Sequence, residues 1–514
     1  MKNRAEKTVL NVSAGILDEL VAILCGLILP RLILTNFGSD YNGITSSITQ
    51  FISCITLLKG GIGGVTRAAL YKPLAEKDTE SISAIVFQTE RFMRRIALIF
   101  LGFVLVFAAI YPIWICTDFS WIFEFSLILI IAISTFVKYY FGLAYNMLLS
   151  ADQRQCVIKF INSATTILNT IIAAVLINNG ATIHWVKLGS SLVFALDPFI
   201  ICWYAKRKYN LNKKVAPATD FIKQRWDAVG HEVAQFVNNN TDVMVITIFA
   251  DIKEVSVYTV YHYAIASIRK VVTNFIIGFG AAFGNMYALK QYKVMHKNLK
   301  IYEVIVFSIA SIVYSAALAI IVPFARVYTD GVTDVNYLRP VFGAVLTFAG
   351  AFTCFRIPYQ TIVTAVGHYK QTRNGAFFEA GMNIVLSVIL VIKFGIVGVA
   401  IGTLAAAIFR SCQYAFYLSK NILNRSNFIF LGHVFVTVAI MAATYFLSRL
   451  YMPAAESFNS VKMWIMYAIP STLIPFVLTA VTDLLFYREP TLGLFKKITH
   501  MFFHKKEKAS HEEV

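Results

Sequence analysis

The chain has 514 residues, 58% hydrophobic and 14% charged, where an ordinary soluble domain carries about 25% charged residues; too few charges remain to make the polar shell of a soluble core this large. Its net charge of +18 falls in short clusters between long apolar runs rather than on one continuous surface, which argues against a nucleic-acid face. Seven cysteines are scattered without a C-x-x-C pair, which excludes a disulfide framework or zinc site read from spacing.

From the amino terminus, a basic segment (Met1 to Thr8) runs into an apolar stretch ending near Leu34. That stretch is too long for a signal-peptide core and no small-residue cleavage site follows it, so it reads as a first membrane helix. A helix crosses the hydrocarbon in about 20 residues. On that ruler fourteen spans are expected: 9–34, 43–66, 84–112, 121–149, 156–179, 183–205, 226–250, 255–288, 301–325, 337–365, 372–394, 396–419, 428–450 and 463–487. With the amino terminus in the cytoplasm, thirty-four Lys and Arg fall on the inner side and seven, Lys187 among them, on the outer. That asymmetry places both termini inside. All six tryptophans fall at the ends of these spans, where indoles meet the membrane–water boundary.

The longest inner loop, 206–225, is basic and contains Pro217. Around it the chain repeats itself. Gln155 and Gln371, Asn169 and Asn383, Gly180 and Gly395, and Gly189 and Gly402 are related by an offset of 213–216 residues. A near-constant offset indicates a duplicated unit; six spans per copy is an even number, so the copies run parallel. The expected fold is an all-α polytopic membrane protein. It divides into a six-helix lobe (1–205), a cytoplasmic linker (206–225), a second six-helix lobe (226–419), two further helices (420–487) and a basic tail (488–514).

Ionisable side chains at bilayer depth are expensive and usually face a protein interior or a hydrated cavity. The deep cations are Arg31, Lys59, Lys138, Arg269 and Lys270. Lys59, Lys138 and the Arg269–Lys270 pair lie too far from the outer ends of their spans to snorkel there, whereas Arg31 fits a boundary arginine as well as a cavity group. Arg269 and Lys270 stand about 100° apart on a helix, so one of them at most points squarely into a cavity. Arg suits a phosphate, because its planar fork binds two oxygens. The deep acids, Asp18, Glu19, Asp197, Asp242 and Glu379, are candidates to balance these cations, Lys59 included, or to bind a coupling Na⁺ or H⁺. The run Asn238, Asn239, Asn240, Thr241, Asp242 is polar for a mid-membrane position; it reads either as headgroup contacts or as a polar seam between helices. Glycines at 60, 61, 63, 64, 278, 280 and 284 permit bending or close packing, and close packing is the commoner use. No phosphate-binding loop, nucleophile elbow or H-E-x-x-H motif occurs. The outer loops are too short for the catalytic groups of a membrane polymerase, so no enzyme and no cofactor are expected.

Several stretches resemble the Wzx-type polysaccharide flippases of the multidrug/oligosaccharidyl-lipid/polysaccharide (MOP) exporter superfamily. These are LPRLILTNFGSDYNGI (29–44), LLKGGIGGVTRAAL (57–70), MLLSADQRQCVIKFI (147–161) with its echo TAVGHYKQTRN (364–374), and NNNTDVMVITIFA (238–250) with Tyr258 beyond it. The resemblance implies translocation of a polyprenyl-pyrophosphate-linked oligosaccharide from the inner to the outer leaflet by alternating access. Its partners would be membrane lipids, a polysaccharide polymerase and glycosyltransferases, at a bacterial plasma membrane. The related lipid II flippases use cavity cations on helices 1, 2 and 8, which implies that role for Arg31, Lys59 and Arg269; Lys138 rests on its depth alone. Lys rather than Arg at 59 and the doubled acid Asp18–Glu19 depart from that pattern. The rival readings are a drug or cation antiporter of the same superfamily, which calls for acid-lined walls, and a scaffolding subunit without cargo.

Overall fold

A computed structural model of the chain describes residues 2–59, 61–115, 117–212, 215, 226–274 and 279–493. The expected linker 206–225, the tail 488–514, Gly60 and Gly278 therefore lie wholly or largely outside the described residues. Every one of the fourteen expected segments holds helix, and no strand occurs among the described residues. In chain order the helices are α1 (Lys2–Phe37), α2 (Ser39–Ile52), α3 (Ile55–Lys59), α4 (Ile62–Glu76), α5 (Thr79–Trp114), α6 (Trp121–Val137), α7 (Leu143–Ala151), α8 (Gln155–Asn178), α9 (Ile183–Tyr209) and α10 (Trp226–Phe249). They continue with α11 (Ile252–Asn274), α12 (Phe279–Ala288), α13 (Tyr292–Tyr328), α14 (Pro340–Phe355), α15 (Ile357–Ala365), α16 (Tyr369–Phe394), α17 (Ile396–Leu418), α18 (Phe428–Tyr451) and α19 (Val461–Phe486).

Eleven of the described helices are long and apolar enough to cross a membrane, or twelve if the bent pair 39–59 and 62–76 is one span. Of the other two expected segments, α10 is apolar over Asn240–Phe249, and α11 is diluted by Lys253, Glu254, Arg269 and Lys270. Side chains are distributed as lipid demands. Leu450, Ile113 and Phe435 are 83%, 75% and 74% exposed, while Ser387, Thr347 and Thr444 are fully buried. Apolar groups outside and hydroxyls inside is the arrangement of a multi-pass membrane protein, in which every polar group must find its partner within the protein.

The residues form two compact units, 1–259 with 331–335, and 260–330 with 336–514. In the first, α1 packs on α8, α8 on α9, α9 on α6 and α6 on α5. The helix α10, which the sequence assigns to the second lobe, packs on α2 and α3 of this unit. The segment 331–335 supplies a cap that the chain lacks locally. Gly38 precedes α2 with φ of 93° and has no side chain to cap it. Instead the Ser39 amide and hydroxyl each donate to Asp334 at 2.7 Å, satisfying an otherwise unpaired helix-start donor.

In the second unit α13 packs on α14, α18 and α19, and α16 on α17. The paired glycines play similar parts in both units. Gly180 turns α8 into α9 with φ of 74°, and Gly395 turns α16 into α17 with φ of 56°. A methyl group on Gly189 would lie 3.0 Å from Leu176, and one on Gly402 would lie 2.5 Å from the Ser387 hydroxyl. Glycine at each place lets the two helices of a pair meet closely.

The glycine-rich stretch after Lys59 bends rather than packs, in contrast to the expectation of close packing. Gly61 has φ of 67°, and the helices on either side differ by 46° in direction. Gly64 has no neighbour within 4 Å, and Gly63 touches only side-chain ends. Close packing does hold for Gly284, where an added methyl would lie 3.4 Å from the Ala365 carbonyl.

Candidate functional site

The first unit contains a cavity of about 500 Å³ whose polar lining includes Thr49, Ser53, Thr56 and Lys59 from α2 and α3, Ser134, Thr135 and Lys138 from α6 and its continuation, Asn169 from α8, and Lys187, Ser190 and Ser191 from α9. Leu29, Ile52, Ile131 and Phe194 supply apolar wall. No Asp or Glu lines it.

Two local features bring the lysines here. First, α6 and α9 run side by side in the same direction. The Ser126 hydroxyl lies 2.9 Å from His184 Nε2, and one to two turns on the Ser191 hydroxyl donates to the Ile130 carbonyl at 2.7 Å. Lys187 and Lys138 therefore stand on one wall, roughly 15 Å apart along the helix axes. Second, α6 does not continue regularly into α7: Lys138–Gly142 forms a π turn, which inserts one extra residue and re-aims the side chains around it. Gly142 makes this possible. A methyl group there would lie 2.4 Å from Pro198 Cβ, so only glycine admits α9 at this level. The approach brings Asp197, beside Pro198, within electrostatic reach of Lys138, where it attracts the ammonium group while Lys59 repels it.

Among the described residues no carboxylate forms an ion pair with Lys59, Lys138 or Lys187; Asp18, a possible partner for Lys59, instead accepts from Lys159 at 2.7 Å and from Ser163 at 3.1 Å. Three cations in a cavity whose lining holds no carboxylate, with Asp197 acting on Lys138 from outside that lining, favour entry of an anion. Asn169 Oδ1 and Ser190 Oγ are buried with no hydrogen-bond partner among the described residues. An amide oxygen and a hydroxyl in that condition offer an acceptor for a sugar hydroxyl and a donor for a phosphate oxygen.

The other expected residues are placed as follows. Arg31 is half-buried near the end of α1 and is not part of the cavity lining. Glu19 is half-buried on α1. Asn240 Oδ1 accepts from Gln50 at 2.5 Å and from Ser53 at 3.0 Å, and its amide donates to the Phe236 carbonyl. It is thus a seam residue holding α10 to α2 behind the cavity wall. The side chains of Asn238 and Asn239 lie outside the described residues. Asp242 is buried and accepts from the Tyr258 hydroxyl at 2.7 Å.

Arg269 and Lys270 are on the part of α11 that belongs to the second unit. Arg269 is half-buried and Lys270 exposed. Glu379 is buried in that unit between two arginines, Arg356 at 2.7 Å and Arg410 at 3.2 Å. Its carboxylate balances cations that sequence reasoning did not single out. Sequence reasoning also missed Lys187, which stands one turn inside α9 and lines the cavity. No group of His, Cys, Asp and Glu suited to a metal ion forms among the described residues.

No protein-family model matches the chain, and no curated protein sequence matches it. Solved structures do. The lipid II flippase MurJ in an inward closed conformation superposes with a TM-score of 0.68 at 15% identity, over 94% of this chain and 99% of that one. An outward-facing multidrug resistance MATE family transporter of the MOP superfamily gives 0.60 at 12% identity, over 85% and 96%. A single-substitution mutant of the Vibrio cholerae MATE transporter VcmN gives 0.58 at 13% identity, over 82% and 98%. The chain has the fold of the MOP superfamily.

Proposed function

We propose that this protein translocates a lipid carrying a phosphate- or pyrophosphate-linked headgroup, in the favoured case a polyprenyl-pyrophosphate-linked oligosaccharide moving from the inner to the outer leaflet for surface polysaccharide assembly. The observation that carries the reading is the cavity lined by Lys59, Lys138 and Lys187 with no acidic residue in its lining. Its volume of about 500 Å³ lies within the usual range of ligand pockets, about 300–1,000 Å³. The hydroxyl- and amide-rich wall suits the sugar next to the phosphate. The lipid tail stays in the bilayer while the unit changes the leaflet to which the cavity opens. Likeness to a lipid II flippase over nearly the whole length supports this reading. A cation exporter is disfavoured by the cavity, because its cargo would enter a wall of unpaired ammonium groups.

The test is binding of a polyprenyl pyrophosphate to the purified protein in nanodiscs, with a cationic dye as the contrasting ligand. The wild type should bind the pyrophosphate lipid, and Lys59→Ala/Lys138→Ala should bind it at least tenfold more weakly while Lys59→Arg/Lys138→Arg retains binding. In cells, the double alanine variant should reach the membrane at normal levels and lose surface polysaccharide. Unchanged lipid affinity in the alanine variant, or preference for the dye, overturns the proposal.

A further inference from the structure

The second unit carries a second basic cavity, distinct from the one above and not used by the proposed transport. It has a volume of about 490 Å³ and lies between the start of α13, the chain just after α17, and the short helical turn that follows α19. Lys293, Lys297, Lys300 and His296 line it, with Glu489 as the single acidic residue. Spacings of four and three residues put the three lysines on one face of α13. All three are exposed, and among the described residues none forms an ion pair. An ordinary solvated face intersperses charges of both signs. Here three unpaired ammonium groups line a concave site.

The level of this cavity is set by helix length. α13 has 37 residues, about 55 Å at 1.5 Å per residue, against roughly 30 Å of hydrocarbon. Its long uncharged, mainly apolar run begins after Glu303, so the lysine-bearing turns stand where phospholipid headgroups lie. The floor is rigid. Glu303, fully buried, receives Arg425 from the chain beyond α17, with Arg425 Nη1 donating to Glu303 Oε2 at 2.9 Å and Nη2 donating to Oε1. This pair fixes Leu423 beside Ile301, both of which line the cavity. In sequence, the residues after 493 add Lys496, Lys497, Lys505, Lys506 and Lys508, a polybasic context of the kind that attracts anionic lipid.

We infer that the cavity at Lys293, Lys297 and Lys300 binds a phosphate-bearing anion, supplied in the membrane by the headgroup of an anionic phospholipid. A lysine near a membrane surface contributes roughly fivefold to anionic-lipid affinity, so three acting together are worth up to about 150-fold, less whatever Glu489 offsets.

The experiment uses the full chain in detergent, titrated with short-chain phosphatidylglycerol, with phosphatidylcholine, or with inorganic phosphate, and followed by native mass spectrometry. The variant is Lys293→Gln/Lys297→Gln/Lys300→Gln, and Lys206→Gln/Lys208→Gln, at the end of α9, controls for general loss of charge. Phosphatidylglycerol should bind the wild type and the control alike, and the triple glutamine variant at least 30-fold more weakly. A triple arginine variant should retain binding. Equal binding of phosphatidylglycerol by the wild type and the triple glutamine variant overturns the site, as does equal affinity for phosphatidylcholine. Inorganic phosphate that binds as tightly as the phospholipid overturns the membrane source. The pyrophosphate-lipid affinity of Lys59→Ala/Lys138→Ala is a separate readout, so failure here leaves the transport proposal standing, and the reverse.

Discussion

Replacing Glu303 by Gln leaves Arg425 charged in a place built for an ion pair. Both side chains are removed from solvent, Glu303 completely and Arg425 to 3% exposure. The guanidinium is held by two bonds to one carboxylate, while the Arg425 amide donates to the Ser419 carbonyl at 3.0 Å. Removing one partner of such a pair costs about 3–5 kcal/mol, because the other charge stays desolvated without compensation. That corresponds to about two to three and a half powers of ten in the folding equilibrium. For a unit of about 250 residues each kcal/mol moves a melting midpoint by about 2–4 °C, so Glu303→Gln should lower it by roughly 6–20 °C. Arg425→Met should do the same, since it strands the carboxylate. Removing both charges together, as Glu303→Leu/Arg425→Met, should recover most of the loss. The midpoints are read by heating detergent-solubilised protein and measuring the surviving monodisperse peak. Single substitutions within about 2 °C of wild type, or a double variant whose loss equals the sum of the two singles, would refute the assignment of a coupled buried pair.

Gly142→Ala forces a methyl group into Pro198 and should destabilise by about 1–3 kcal/mol; an unchanged melting midpoint would show that α9 does not pack against the π turn as described. Glu379→Gln strands Arg410, 3% exposed, beside Arg356, and should reduce thermal stability by about 3–5 kcal/mol. Glu379→Asp should be milder by at least half in the same melting assay. Lys187→Gln should melt like the wild type but weaken binding of a polyprenyl pyrophosphate about five- to tenfold at low salt, with the difference shrinking as salt rises; equal affinity at all salt concentrations would remove Lys187 from the site.

The helices were legible because each crossing must bury its own backbone hydrogen bonds in about 20 apolar residues, a length that sequence shows directly. Two tight turns were legible for a related reason: a turn between adjacent helices needs a backbone that only glycine adopts readily, and Gly180 and Gly395, paired in the sequence by offset, both have positive φ there. What the sequence hid is where a span breaks or changes pitch. Gly61 and its neighbours have the same composition whether they bend a helix or let another approach, and the difference lies in what stands opposite them. The π turn at Lys138–Gly142 is marked in the sequence only by Gly142, whose need for a bare backbone shows once Pro198, more than fifty residues away, is seen packed against it. Likewise α10 groups with the first unit through Asn240 and Gln50, a long-range bond that hydropathy does not register.

Depth singled out Lys59 and Lys138, with an ion pair to Asp18 or Glu19 as the bland alternative for Lys59, and both lysines line one cavity. Depth failed for Lys187, four residues into α9 and next to Trp185, where a lysine looks like a boundary anchor. The missing information was the direction of its face. His184 and Ser191 both turn toward α6, and a lysine between them on the same helix is carried toward the α6 wall whatever its depth. The same blindness acted in reverse on Glu379. The acid stood out, whereas its partners Arg356, at the end of α14, and Arg410, inside α17, did not. A deep charge therefore gains meaning only with its partner: Glu379 has two and is a packing element, whereas Lys59, Lys138 and Lys187 share one cavity with no carboxylate in its lining. That contrast, rather than depth, separates structural charges from the set proposed to hold cargo.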